Sequence, residues 1–268
     1  MTGVELFHWN PRRPVLRGRL GRRLPLRRPV NNFGDLIGPM LVARVLDELG
    51  LDPASGHGRL LSVGSVLHFG RPGDVVWGSG INGKQPSVDG RLLEIRAVRG
   101  PRTREQLRRS GAEVPEIFGD PALLWPRFWP RQGYLDQDAH THPVTVVPNL
   151  HDWSSLRHDP RAISPRAPVH DVIGRIARSE LVVGSSLHGV VLADAFGIPA
   201  RFVASGSEPP FKYHDYLLGT GRAAYDSAPD VDTAIRRGGH PAPVWDPAAL
   251  LAAFPDELWS PDRRLRTP

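Results

Sequence analysis

The chain contains no cysteine, which excludes disulfides, thiolate metal sites and a cysteine nucleophile together. It also lacks any apolar run of about 18 residues, the length that a membrane-crossing helix needs. The N-terminus has no apolar stretch of the kind that marks a signal peptide, so a cytoplasmic protein is expected. Convincing phosphate-binding signatures are missing too. There is no G-x-x-x-x-G-K-[ST] and no convincing G-x-G-x-x-G, which leaves a P-loop and a standard dinucleotide site unsupported. No H-E-x-x-H occurs and the histidines do not cluster at metal-ligand spacing, so no metal centre is expected. Lysine is scarce: two lysines stand beside 32 arginines, a bias that a genome rich in G and C produces without selection for binding.

What is present suffices for a sizeable core. The 268 residues are 40% apolar and 23% charged, which fits one large domain or two smaller ones. The net charge of +6 is unevenly placed. Residues 11–30, "PRRPVLRGRLGRRLPLRRPV", hold eight arginines and no acid, and the rest of the chain then sets 26 basic residues against 28 acidic ones. Such a segment is compatible with a solvated basic stretch or with contact to an anionic membrane surface. No zinc finger or RNP-type motif accompanies it, so no nucleic-acid partner is expected.

Beyond the arginines, strands and helices alternate. "VNNFGDLIGPMLVARVLDELGL" reads as a polar turn at 31–35 leading into an amphipathic helix to about Leu49. "GRLLSVGSVLHF" and "GDVVWGSGIN" each carry a short β-rich run that ends in glycine and serine, and residues 93–98 read as a strand. The helix that follows is opened by Pro101, favoured at the first helical position. Residues 126–142 are rich in proline, arginine and aspartate and form a candidate linker. Alternation of this kind argues for parallel sheets covered on both faces. The expected architecture is α/β, with two Rossmann-like domains facing a cleft: a basic segment at 1–30, an N-terminal domain at 31–130 and a C-terminal domain at 140–268.

The clearest unit is "RSELVVGSSLHGVVLADAFGIPARFV" at 178–203. A buried strand runs to Gly184, Ser185 or Ser186 caps the next helix, and Gly197 with Pro199 stops it. His188 then lies in the first helical turn, where free N–H groups favour an anion. The alternative is that the serines cap and the histidine packs locally. Four other strand ends share the pattern of small residues beside a polar one: "NNFGD", "GSVLH", "WGSG" and "RGPRT". Singly each is an ordinary turn or helix start; together they outline a ligand site.

In order along the chain, "NNFGDLIGP", "GSVLHF", "VVWGSG", "VRGPRT", "GDPALL", "SSLHGVVLADAFGIP" and "FKYHDYL" resemble the polysaccharide pyruvyl transferases, in particular the bacterial exopolysaccharide branch that forms pyruvate ketals. The resemblance covers roughly residues 31–218. It implies a GT-B-like fold and transfer of pyruvate from phosphoenolpyruvate to two hydroxyls of a saccharide acceptor, lipid-linked or free, with no cofactor beyond that donor. Some relatives carry Arg-Leu-His where this chain has Ser186-Leu187-His188.

That chemistry assigns expectations to residues. The donor's carboxylate and phosphate need neutralising, for which Arg99, Arg102 and Lys212 are candidates, with Ser185, Ser186 and the N–H of Gly189 adding hydrogen bonds. His188 is the candidate general acid for the donor's methylene carbon. Asp35 is the candidate group to orient or deprotonate the acceptor, although it reads equally as the N-cap of a helix over 36–49. Asn32, His68, Trp77, Ser79 and Asp152 complete the candidate cleft. Two other functions fit parts of the pattern: a GT-B glycosyltransferase using a nucleotide sugar, and a non-catalytic protein that binds through its arginines.

Overall fold

A computed structural model of the chain describes residues 3–15, 26–84, 88–135 and 141–260. Nine short strands pair among these residues. β1 (Glu5–Phe7), β4 (Arg59–Leu61), β5 (Val75–Trp77) and β6 (Glu94–Ala97) form a parallel sheet in the order β1-β4-β5-β6. β2 (Arg12–Pro14) and β3 (Arg27–Pro29) make a separate antiparallel pair. β7 (Thr145–Val146), β8 (Val182–Gly184) and β9 (Ala200–Phe202) form a second parallel sheet in sequence order. β4, β5 and β8 are buried at every residue, as strands covered on both faces must be. The α/β reading therefore holds, with two parallel sheets.

The longer helices are α1 (Phe33–Leu49), α2 (Pro101–Arg109), α3 (Val169–Ala177), α4 (Leu187–Ala195) and α5 (Phe211–Gly219). On α1, Phe33, Ile37, Leu41, Val42, Val45 and Leu46 recur at helical spacing and are all buried. Gly50 closes the helix in the left-handed conformation at φ 67°. The main hydrophobic cluster joins this face to Trp77 from the first sheet, to Val182 and Phe202 from the second, and to Val190 of α4. α1 is thus shared packing between the sheets, and the Phe33 N–H donates to the carbonyl of Pro165 at 2.9 Å.

Three expectations change. α1 begins at Phe33, not at residue 36, so Asp35 lies inside its first turn; the N-cap position belongs to Asn32. The basic N-terminal segment is not wholly separate from the domain, because β1 pairs with β4 through Leu6 opposite Leu60. Arg12, Arg13, Arg27 and Arg28 are exposed on the β2–β3 pair, while the arginines at 17, 19, 22 and 23 fall outside the described residues. The candidate linker is packed through Tyr134: Trp125 is fully buried, its ring stacks on Trp129 at 4.0 Å, and its Nε1 donates to the Tyr134 hydroxyl at 3.2 Å. Aromatic burial offsets the proline and charge that make this stretch look open. Among the described residues no helix is long and apolar enough to cross a membrane.

Candidate active site

The carboxyl ends of the parallel strands open on a cleft of about 260 Å³. Asn32 and Asp35 reach it from the start of α1, Ser65 and His68 from the turn after β4, and Asn82 and Lys84 from the turn after β5. Asn149 follows β7, Ser186 and His188 begin α4, and Glu208 and Lys212 come from the approach to α5 and its first turn. Trp9, just after β1, adds an aromatic wall. Strand ends and helix starts converge here because parallel topology places them on one side of each sheet.

His188 is buried in the first turn of α4, whose N-cap is Ser186; the Ser186 hydroxyl accepts from the Gly189 N–H at 3.2 Å. Behind the imidazole, Nε2 lies 3.6 Å from Oδ2 of the fully buried Asp120. Neither of these two buried atoms has another partner. On the other side the ring packs onto Gly34, where an added Cβ would lie 2.4 Å from His188 Nδ1. Glycine is therefore the residue that lets the imidazole sit against the start of α1.

Asp35 is next to that contact. Its Oδ2 accepts from Asn32 Nδ2 at 2.7 Å. Burial raises its pKa above the ordinary aspartate value, against the opposing effects of the Asn32 hydrogen bond and of His188, Lys212 and His8. A carboxyl group in this state is closer to sharing a proton near neutrality than a solvated one.

The cleft also contains both lysines of the chain. Glu208 bridges them: Lys84 Nζ donates to Oε1 and Lys212 Nζ donates to Oε2 at 2.9 Å. Burial pulls the pKa of Lys212 below the ordinary lysine value, with Glu208 pulling the other way. Burial likewise disfavours the Glu208 carboxylate, but the two lysines outweigh it and hold its pKa below the usual glutamate value. His68 stands at the rim over Phe69, with ring centroids 4.0 Å apart, and burial lowers its pKa.

Seven sequence candidates sit elsewhere or are already occupied. Arg99 is fully buried, ion-paired with Asp215 at 3.1 Å and donating to the Ser65 hydroxyl at 2.6 Å and the Ile81 carbonyl at 2.7 Å. It holds the floor of the cleft instead of facing a ligand. Arg102 donates to His214 Nδ1 at 3.0 Å, outside the cleft lining. Trp77 is core, with Nε1 donating to the Leu250 carbonyl at 2.8 Å, and Ser79 is a buried tie to the Gly64 carbonyl at 2.9 Å. Ser185 accepts from the Asn149 N–H at 3.1 Å and is buried. Gly189 spends its N–H on the cap and packs against Val147, where a Cβ would come within 2.8 Å. Asp152 orients Asn149, accepting from its Nδ2 at 2.7 Å, and is one step behind the lining.

Sequence reasoning passed over Asp120, Ser65, Lys84, Asn149, Glu208 and Trp9. Two of these carried a signal: Asp120 lies in "GDPALL", and Lys84 is one of only two lysines in an arginine-rich chain.

Comparison with known proteins covers part of this site, from Ser65 to His188, and leaves Asn32, Asp35, Glu208 and Lys212 outside the matched residues. The family model described as polysaccharide pyruvyl transferase matches residues 60–207, more than half of the chain. The chain is 33% identical over 172 residues to the succinoglycan biosynthesis protein ExoV of Rhizobium meliloti (strain 1021), covering 59% of this chain and 52% of that protein. It is 24% identical over 172 residues to the uncharacterized protein L143 of Acanthamoeba polyphaga mimivirus, covering 58% of each. The chain thus spans little more than half the length of these curated relatives. No solved structure matches it.

Proposed function

The chain belongs to the polysaccharide pyruvyl transferase family, and from that premise we propose that it transfers pyruvate from phosphoenolpyruvate to two hydroxyls of one sugar in a polysaccharide precursor, forming a ketal and releasing phosphate. The observation that carries the reading is the meeting of His188, the desolvated Asp35 and the two ammonium groups of Lys84 and Lys212 in one cleft. We read the two parallel sheets facing it as a GT-B-like arrangement.

The donor brings a carboxylate and a phosphate, so cations must receive it first. Lys212 and Lys84 are suited to this, since an ammonium group shared with Glu208 can exchange that carboxylate for an incoming anion. The Ser186 hydroxyl and the start of α4 add hydrogen-bonding capacity and a positive dipole end. His188, as imidazolium, protonates the methylene carbon of the donor, and the neighbouring carbon becomes cationic. Asp35 takes the proton of the attacking sugar hydroxyl. Loss of phosphate regenerates a cationic carbon, which the second hydroxyl closes as its proton passes to the now neutral His188. Each acid or base contributes about 10²–10⁴-fold.

For the setting we propose a cytoplasmic enzyme acting on a saccharide acceptor, lipid-linked or free, with the arginine segment available for contact with anionic lipid. The test is phosphate release from phosphoenolpyruvate in the presence of candidate saccharides, run in deuterated water. The expected product carries one solvent deuterium in the ketal methyl group, and His188→Gln binds donor but loses about 10²-fold or more in turnover. Release of a nucleoside diphosphate from a nucleotide sugar, with no phosphate from phosphoenolpyruvate, overturns the proposal in favour of a glycosyltransferase.

A further inference from the structure

Five buried side-chain nitrogen or oxygen atoms among the described residues have no hydrogen-bond partner, and two of the five face each other: Asp120 Oδ2 and His188 Nε2, 3.6 Å apart. A buried polar atom left unpaired loses its water partners without replacement, which penalises the folded state. Here each atom has the other as its available partner, and a closure of a few tenths of an ångström brings the pair into hydrogen-bonding range. Both ends are held. Asp120 is fully buried, and its Oδ1 already accepts from the Ala122 N–H at 3.0 Å, which aims Oδ2 at the imidazole. His188 is fixed by the start of α4 and by the close approach to Gly34.

We propose that Asp120 is a positioning residue that accepts the Nε2 proton of His188 and thereby makes Nδ1, on the side of Gly34 and Asp35, the nitrogen that carries the exchanged proton. The inference deepens the reading of His188 as general acid and rests on it. In the neutral ring the proton stays on Nε2, facing Asp120, and the Nδ1 lone pair is free. In the imidazolium the Nδ1–H bond breaks as the π electrons of the donor's carbon–carbon double bond take that proton. The electron pair of the N–H bond returns to Nδ1, and the Nε2 proton never leaves. Proton exchange and orientation are thus divided between the two nitrogens.

Other ionisable groups surround the pair and have to be separated from it. Asp35 on α1 interacts electrostatically with His188, Lys212 on α5 and His8 after β1 interact with Asp35, and Tyr216 on α5 lies within electrostatic reach of Asp120. The discriminating variant is therefore Asp120→Asn, which keeps the Oδ1 acceptor for Ala122 and the volume of the side chain but removes the charge.

The experiment is ¹⁵N NMR of the histidine ring nitrogens in the full chain, with the His188 signals identified by their loss in His188→Gln. The wild type is expected to show the Nε2–H tautomer in the neutral ring. Asp120→Asn is expected to shift the tautomer population toward Nδ1–H, with donor KM changing less than kcat. Asp120→Glu, which keeps a carboxylate acceptor, is the second variant and should retain the Nε2–H tautomer. A wild-type Nδ1–H tautomer, or an Asp120→Asn protein with unchanged tautomer, overturns the inference. Because the spectrum needs no turnover, absence of phosphate release would count against pyruvyl transfer and leave the Asp120–His188 coupling to be judged by the spectrum.

Discussion

Arg99 and Asp215 form an ion pair with neither side chain exposed, 3.1 Å apart and 116 residues distant in sequence. The Asp215 carboxylate also accepts from the N–H of Thr103 at 2.9 Å and its hydroxyl at 2.6 Å, so the pair fastens the start of α2 to α5. Breaking a buried pair by removing one member costs about 3–5 kcal/mol, because the other charge is left without compensation. Arg99→Met should accordingly lower stability in urea unfolding by about that amount. Arg99→Lys should also destabilise, because one ammonium group cannot reach Asp215, Ser65 and Ile81 together. A lysine variant of native stability with weakened donor binding would instead return Arg99 to the cleft.

The lysine bridge makes a prediction about alkaline pH. Burial lowers the pKa of Lys212, so its ammonium form is lost at lower pH than that of an ordinary lysine, and donor affinity should weaken as pH rises through that point. Glu208 opposes the shift. In Glu208→Gln the opposing charge is gone, the Lys212 pKa falls further, and the rise of donor KM should begin at lower pH than in the wild type. Identical profiles in the two proteins would remove Glu208 from any electrostatic role in donor binding.

How far the sequence speaks depends on whether a signal is local. The unit at 178–203 is legible because a strand, a cap, an apolar helix and a terminating glycine occupy consecutive residues; of the two serines offered as the cap, the structure uses Ser186. Arg99 is the opposite case. A guanidinium beside a helix start looks ready for an anion, and nothing near it in sequence reveals that Asp215 consumes it. Trp77 and Ser79 mislead for the same reason, since their partners Leu250 and Gly64 are brought together only by packing. Lys84 and Glu208 become a pair only when the turn after β5 meets the approach to α5.

Asp35 gives a prediction on the acid side. A base must be ionised, and burial raises the Asp35 pKa, so kcat/KM should fall with decreasing pH at a higher pH than an ordinary aspartate would set. Asn32→Ala removes the amide that stabilises the carboxylate, and the acid limb should move further toward neutrality. The same desolvation weighs on stability. A carboxyl group whose folded pKa is raised penalises the folded state above its unfolded pKa, so at pH 7 Asp35→Asn should be inactive yet at least as stable as the wild type. An Asp35→Asn enzyme that turns over normally would leave Asp35 a structural neighbour of His188.

The arginine segment calls for an experiment shaped by β1. Deleting residues 1–28 would remove a strand paired with β4 and take Trp9 from the cleft, so a loss of function would say nothing about the membrane. Replacing Arg17, Arg19, Arg22 and Arg23 with glutamine changes charge alone and leaves the described strands in place. Basic residues near an anionic surface contribute about 1 kcal/mol each, so the quadruple variant should lose up to about 4 kcal/mol of vesicle affinity at low salt. Added salt should weaken wild-type binding and narrow the difference, because screening acts within a Debye length of about 10 Å at 0.1 M. Phosphate release with a soluble acceptor should stay unchanged. Sedimentation with phosphatidylglycerol vesicles measures the first quantity and a phosphate assay the second. Equal sedimentation of wild type and variant, or equal binding of the wild type to uncharged phosphatidylcholine vesicles, would show that these arginines do not anchor the enzyme to the membrane.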